Sequence, residues 1–433
     1  MNPASRFLTR AGRARCASVL LLAFLHLSLP AAPRAAAEAR WVASWAAAPQ
    51  DYLKAPLLPG IQTSPPGAPV PVFGNQSLRQ RVSPTLGGER VRVRFSNLFG
   101  KGPLRILGAS VARSTGADAV SPATLQRLRF GDADEVTIAP GEERWSDGAR
   151  LGVEPGQAVA VSFQLEAPTP FATVHHLGTT TLVPGSALMR PQWRDAAPSS
   201  WNHVVTGLDV ASPGTPRVVV GFGDSITQGV GVEQSQALPS RYPDRLAARV
   251  REQPGQAGSV AIINAGIAGN RLLTDGVGPR GIERFRRDVL AQSGVSHALI
   301  LIGINDIGLS LPIAMQGLAP VLRPPSAEQI TAGLQQLVDE AHARGVKVLL
   351  GTLTPFKGAA TWTEEKEARR QAVNRWIRGR QDVDAVVDFD AALRDPADHA
   401  ALHPHYDSGD HLHPGNAGYA AMADAIDLRV LQE

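Results

Sequence analysis

The sequence predicts a doubly wound α/β domain preceded by a β-rich domain built as a β-sandwich or jelly roll. Three observations carry this. After the turn-forming cluster Ser212-Pro213-Gly214-Thr215-Pro216, five short apolar runs alternate with helical segments, the pattern of parallel strands and their crossovers. Before that cluster, residues 38–215 are rich in Pro, Gly, Thr and Val, with strand-like alternation and no long helical period. A chain of 433 residues, 43% hydrophobic and 19% charged, has length for two or three domains and is a poor fit to disorder, collagen or coiled coil.

Residues 1–37 have the form of a secretory signal peptide. Arg6, Arg10, Arg13 and Arg15 make a basic start, Ala17 to Leu29 is apolar, and Ala35-Ala36-Ala37 supplies small residues for cleavage near Ala37. The apolar run is well below the roughly 20 residues a membrane span needs, so no membrane anchor is expected and the protein should be secreted or periplasmic. This segment holds five of the 43 basic residues and none of the 39 acidic ones. Its removal leaves 38 against 39, a net charge of −1, and with it goes any electrostatic case for a nucleic-acid partner. Cys16, the sole cysteine, lies in the same segment. Thiol nucleophiles, disulfides and thiolate metal sites are thereby excluded from the mature chain.

In the β-rich domain, Val91-Arg92-Val93-Arg94-Phe95 alternates strictly after the turn Leu86-Gly87-Gly88, and Ala158 to Leu165 and Thr179 to Val183 read as further strands. His175-His176 reads as a strand-edge pair. The α/β domain, residues 216–433, has its buried strands at Val218 to Phe222, Val260 to Ile263, Ala298 to Ile302, Val346 to Leu350 and Ala385 to Val387. Helices are expected over Pro239 to Arg251, Ile282 to Gln292, Ala327 to Ala343 and Trp362 to Arg378. Ser326 with Gln329, and Thr361 with Glu364, have capping-box spacing for the last two.

Ligands of such sheets bind beyond the carboxyl ends of the strands, so the residues following each run carry the chemistry. The first strand ends in Gly223-Asp224-Ser225-Ile226-Thr227-Gln228, a serine where strand turns to helix. The second runs into Ile267-Ala268-Gly269-Asn270 and the third into Gly303-Ile304-Asn305-Asp306. A glycine N–H and an asparagine carboxamide, with the N–H of Ser225, are donors of the kind that stabilise an oxyanion. Near the C-terminus, Asp410-His411-Leu412-His413-Pro414-Gly415 places a carboxylate three residues before a histidine, able to fix its tautomer and leave the other nitrogen as a base. A serine hydroxyl needs such a partner to act as a nucleophile. His403, His405, His411 and His413 with Asp407 or Asp410 could instead form a metal patch, but no helical HxxxH or HExxH spacing accompanies them.

These four blocks, in this order, resemble those of the SGNH (GDSL) hydrolase superfamily. The resemblance implies a three-layer α/β/α domain with a five-stranded parallel sheet. It assigns Ser225 as nucleophile and oxyanion donor, Gly269 and Asn305 as the other oxyanion donors, His413 as general base and Asp410 as its orienter. His413 is preferred to His411 because Pro414-Gly415 follows it. Ile226 departs conservatively from the leucine that many members carry there. The absence of a G-x-S-x-G elbow, and an acid three residues before the histidine, argue against the α/β-hydrolase arrangement. More weakly, Trp41-Val42-Ala43-Ser44-Trp45, Leu78-Arg79-Gln80-Arg81 and Val91 to Asn97 resemble the β-rich leader domain of secreted bacterial SGNH esterases associated with acetylxylan esterases.

The expected function is a secreted serine esterase, acting on short acyl groups of a carbohydrate by acyl transfer. A lipase or lysophospholipase, for which the stretch Ile307 to Pro325 would line an acyl pocket, is the first alternative. A polysaccharide O-acetyltransferase and a catalytically silent glycan-binding protein are the others. No cofactor, metal or obligate protein partner is implied; the partner is the small-molecule or polysaccharide ester substrate.

Overall fold

A parallel five-stranded sheet forms the frame of the C-terminal portion. Its strands are Arg217–Gly223, Val260–Gly266, Val295–Leu301, Lys347–Gly351 and Ala385–Val387, in the spatial order second, first, third, fourth, fifth. The computed structural model describes residues 40–54, 70–232, 240–253, 258–309 and 324–432. The signal-peptide segment, Cys16, Pro239 and, within the expected acyl pocket, Leu311, Ile313 and Met315 lie outside them.

Valine and isoleucine fill the strands because both faces are covered. Val218, Val219, Val220 and Phe222 are buried together with Ile263, Ala298, Ile300, Val348 and Leu350, so the alternation of a half-exposed strand is replaced by a continuous apolar run. Helices Tyr242–Glu252, Ala327–His342, Glu364–Arg378 and Asn416–Asp424 cover the sheet with their apolar faces. Ser326 and Gln329 form the expected reciprocal capping box. The next helix starts later than its spacing suggests. Its cap is Thr363, whose hydroxyl accepts from Lys366 N–H at 3.2 Å. Two threonines compete here, and Thr363 puts Glu364, Glu365 and Glu367 in the first turn, where acidic residues meet the positive end of the helix dipole.

The expected helix Ile282 to Gln292 is split. Gly281–Phe285 is α-helical, and Arg286–Leu290 is a π-helical turn. The widening occurs where Arg284 and Arg287 both reach Asp288, consistent with π turns gathering at special sites.

Residues up to Ser212 build two large antiparallel sheets and, among the described residues, a two-stranded pair of Val72–Phe73 with Thr169–Pro170. Strands Arg40–Ala46, Val205–Ser212, Val91–Ser96 and Glu143–Trp145 form one; the larger is centred on Thr173–Pro184, Gln76–Val82, Val159–Leu165 and Leu104–Arg113. Val91, Val93 and Phe95 of the first share a core with Leu78, Val161 and Phe163 of the second, and Phe95 meets Phe163 edge to face at 5.9 Å. His175 and His176 pair with Asn202 and Trp201 of Ala197–His203 on one side; on the other side their strand meets Gln50–Asp51 at Thr173 and Val174 and Gln76–Val82 only from Thr180 onward. The antiparallel and parallel sheets belong to one unit with a continuous core.

The seam between them is specific. Val260–Gly266 is an edge strand of the parallel sheet, with backbone groups facing away from its neighbour. Thr85 of the antiparallel portion supplies a hydroxyl that accepts from Ile262 N–H at 2.9 Å and lies 3.0 Å from Ile262 O. The side chain thus stands in for a neighbouring strand and blunts the edge. Thr85→Val keeps the shape and leaves both groups unpaired. It is expected to lower unfolding free energy by about 1–3 kcal/mol, measured by urea denaturation; an unchanged midpoint would count against this role.

Candidate active site

Ser225 is the first residue of the four-residue helix that follows the Arg217–Gly223 strand. Asp224 caps that helix by accepting from Ile226 N–H at 3.0 Å. The turn is crowded enough to dictate its glycines. A Cβ on Gly266 would lie 2.2 Å from Gln228 N, so only glycine lets the second strand approach the serine's helix. Gly231 has φ +91°, and a Cβ there would meet Pro414 O and the His413 side chain.

The histidine comes from the far end of the chain. His413 Nε2 lies 2.8 Å from Ser225 Oγ across 188 residues of sequence, and His413 Nδ1 lies 2.5 Å from Asp410 Oδ2. A carboxylate accepts only, so Nδ1 carries the proton and Nε2 presents its lone pair to the serine hydroxyl. The loop holding the pair is braced locally. Asp410 Oδ1 accepts from His413 N–H at 2.8 Å and Leu412 N–H at 2.9 Å, and Gly415 N–H donates to Tyr406 O at 2.7 Å. Burial opposes ionisation of Asp410, yet the hydrogen bond and charge of His413 and these N–H groups hold it well below the usual carboxylate range. His411 forms a separate pair with Asp407 at 2.5 Å and is largely exposed.

The donors expected for an oxyanion come from two loops that share bonds. In the turn Ile267–Asn270, Asn270 N–H donates to Ile267 O at 3.0 Å and Ala268 N–H to Gln228 Oε1 at 2.7 Å. Among the described residues neither Gly269 N–H nor Ser225 N–H has a protein acceptor. Asn305 is buried, and its Nδ2 donates to Asn270 O at 3.1 Å, which leaves one carboxamide hydrogen for another acceptor. Asp306 ties the same region, its carboxylate accepting from Leu272 and Leu273 N–H. The sequence-identified residues therefore fall into two linked groups, Ser225–His413–Asp410 and Gly269–Asn270–Asn305.

The residue that joins the loops escaped the sequence reading. Arg284 is buried, and its guanidinium donates to Gly223 O at 2.6 Å, Ala265 O at 2.8 Å, Asn270 Oδ1 at 2.8 Å and Asp288 at 3.0 Å. It also lies over the Phe222 ring at 4.1 Å. In sequence it is one of several arginines on a helix, which ordinarily signals a solvated face. The signal that could have found it is Asp288 one turn on.

A serine at the carboxyl end of a parallel strand, hydrogen-bonded to a histidine that is oriented by a carboxylate, is the arrangement of a serine-dependent acyl hydrolase. Residues 222–421 match the family model of the GDSL-like Lipase/Acylhydrolase family, so this stretch of the chain carries a GDSL-like acylhydrolase domain. No curated protein matches the chain. Among solved structures it is similar to an acetylxylan esterase from Geobacillus stearothermophilus, with 23% identity over 50% of this chain and 95% of the other and a TM-score of 0.37. An α/β hydrolase from the metagenome of Lake Arreo gives 21%, 50%, 95% and 0.37. A GDSL-like lipase from Bacteroides thetaiotaomicron gives 20%, 50%, 89% and 0.34.

Two outcomes test this electrostatic picture. Arg284→Met strips donors from two strand-end carbonyls and from Asn270, and should cost about 3–5 kcal/mol of stability in denaturant titration. Burial pushes Asp224 up to about 7, against the pull of Ile226 N–H and His413. The folded protein then holds a proton between about pH 4, where an unfolded aspartate ionises, and about 7. Stability contributed by this group is full below that window and is lost as pH rises through it. Asp224→Asn should flatten the fall in unfolding free energy across the window; a slope equal to that of the natural protein would refute the assignment.

Proposed function

We propose that the protein is a secreted esterase that removes short acyl groups, chiefly acetyl, from a carbohydrate by Ser-His-Asp acyl transfer. The observation that carries the catalytic part is the continuous hydrogen-bonded path from Asp410 through His413 to Ser225 Oγ. Ser225 Oγ attacks the ester carbonyl carbon while His413 Nε2 takes its proton. The tetrahedral oxyanion is held by the N–H groups of Ser225 and Gly269 and by the Asn305 carboxamide. As the intermediate collapses, the C–O bond to the alcohol breaks and His413 protonates the leaving alkoxide. Water, deprotonated by the same imidazole, then attacks the acyl-enzyme, and the proton returns to Ser225 as the carboxylic acid departs.

The substrate class is supported by the sequence: an export signal, and a β-rich portion alongside the hydrolase domain. An exported enzyme of near-neutral charge meets extracellular polymers rather than cytoplasmic esters.

Ser225→Ala should abolish hydrolysis of p-nitrophenyl acetate while leaving the unfolding transition in place. Rates on p-nitrophenyl esters of increasing chain length should fall steeply after acetate, and acetate should be released from acetylated polysaccharide but fatty acid not from lysolipid. Rates that rise toward long chains would replace the carbohydrate reading with a lipolytic one.

A further inference from the structure

Gln228 ends the short helix that begins with Ser225, and its side chain is fully buried. All of its hydrogen-bonding capacity that can be traced runs in two directions. Oε1 accepts from Ala268 N–H at 2.7 Å, in the loop that carries Gly269. Nε2 donates to His176 O at 2.8 Å and lies 3.3 Å from His175 Nε2. Both histidines belong to the antiparallel strand Thr173–Pro184, far from the hydrolase domain in sequence.

The proton on His175 can be placed. Its Nδ1 lies 2.9 Å from Ala48 O, and a carbonyl only accepts, so Nδ1 carries the hydrogen and Nε2 the lone pair. Nε2 is then an acceptor for Gln228 Nε2–H. Burial pushes His175 down to about 4, which keeps that lone pair available at neutral pH. The carboxamide cannot be flipped, because reversal would set its oxygen against His176 O and its nitrogen against Ala268 N–H. A directed chain of bonds thus runs from Ala48 O through His175 and Gln228 to Ala268.

The end of this chain is chemically significant. The peptide between Ala268 and Gly269 lies at the centre of a turn closed by Asn270 N–H to Ile267 O, and Gly269 has φ +71°. In such a turn the positive φ at the third residue sets which way the central peptide points. The bond to Gln228 fixes the preceding peptide and the bond to Ile267 O spans the turn, so the orientation of Gly269 N–H is determined on both sides.

We infer that Gln228 and His175 are positioning residues for the reaction: through them the antiparallel sheet holds the Ala268–Gly269 peptide with its N–H aimed at the developing oxyanion. This rests on the acyl-transfer reading and gives the N-terminal portion a part in it. Neither side chain touches the substrate. Their contribution is the angle of a single N–H, which matters most in the tetrahedral state and little in ground-state binding.

The test uses the full-length protein and p-nitrophenyl acetate. Gln228→Met and His175→Leu should each lower kcat by about 10- to 100-fold, with KM within about twofold of the natural protein's. The two losses should not multiply in the double variant, since both break one chain. His175→Gln, which offers an amide oxygen to Gln228, should recover part of the rate lost in His175→Leu. The preference for the ester over its thionoester should shrink in Gln228→Met, because sulfur profits less from a well-aimed N–H. Full kcat in Gln228→Met, a change confined to KM, or multiplicative losses in the double variant would overturn the inference. Ser225→Ala is run beside them: activity in that variant would instead remove the acyl-transfer reading, so the two failures are distinguishable.

Discussion

One buried guanidinium holds the ends of the parallel sheet in the arrangement that the chemistry uses. Arg284 donates to the last carbonyl of the strand leading to Ser225, to a carbonyl near the end of the strand leading to Gly269, and to the side chain of Asn270. Parallel strands leave such groups without partners where the ladder stops, and burying them unpaired is costly. A cation that satisfies three acceptors at once turns this liability into a rigid corner. Its own desolvation lowers it to about 10, and Asp288 compensates its charge. Asn270 then passes the order on, since its carbonyl receives Asn305 Nδ2.

The antiparallel portion completes that corner from outside. Thr85 closes the free edge of the Val260–Gly266 strand, and Ala43 N–H donates to Ser293 O at 2.9 Å beside the ion pair of Arg92 with Asp209. Gln228 receives a second set of anchors from the strand that contains His175 and His176. The edge of the sheet and the helix bearing the serine are therefore both braced by residues before Ser212. A hydrolase domain cut at Arg217 would expose an unpaired strand and a buried carboxamide with nothing to donate to.

Much of this was legible in the chain. The five β-branched runs mark the five parallel strands because burial on both faces removes any other signal, and the first three lead into Ser225, Gly269 and Asn305. What was hidden is long-range. Arg284 and Gln228 look like ordinary members of a polar helix and a turn, since a periodic pattern reveals burial of apolar side chains and is silent on a charge or amide buried with its partners. The cap at Thr363 rather than Thr361 was a local competition decided by the acidic first turn. The bonds that hold His175, to Ala48 O and to Gln228, join segments far apart in sequence and leave no periodic signal.

The loop that brings His413 to Ser225 is shaped by bonds among its own few residues. Its meeting with the serine spans 188 residues, a separation that usually signals slow assembly. Here the conformational search is shortened beforehand: the sheet and the helix Asn416–Asp424 fix both ends, and closure entropy rises only with the logarithm of the intervening length. Catalytic competence should thus arrive as the final docking of a preshaped piece, so that the chain gains its reactive hydroxyl only once the rest of the fold stands.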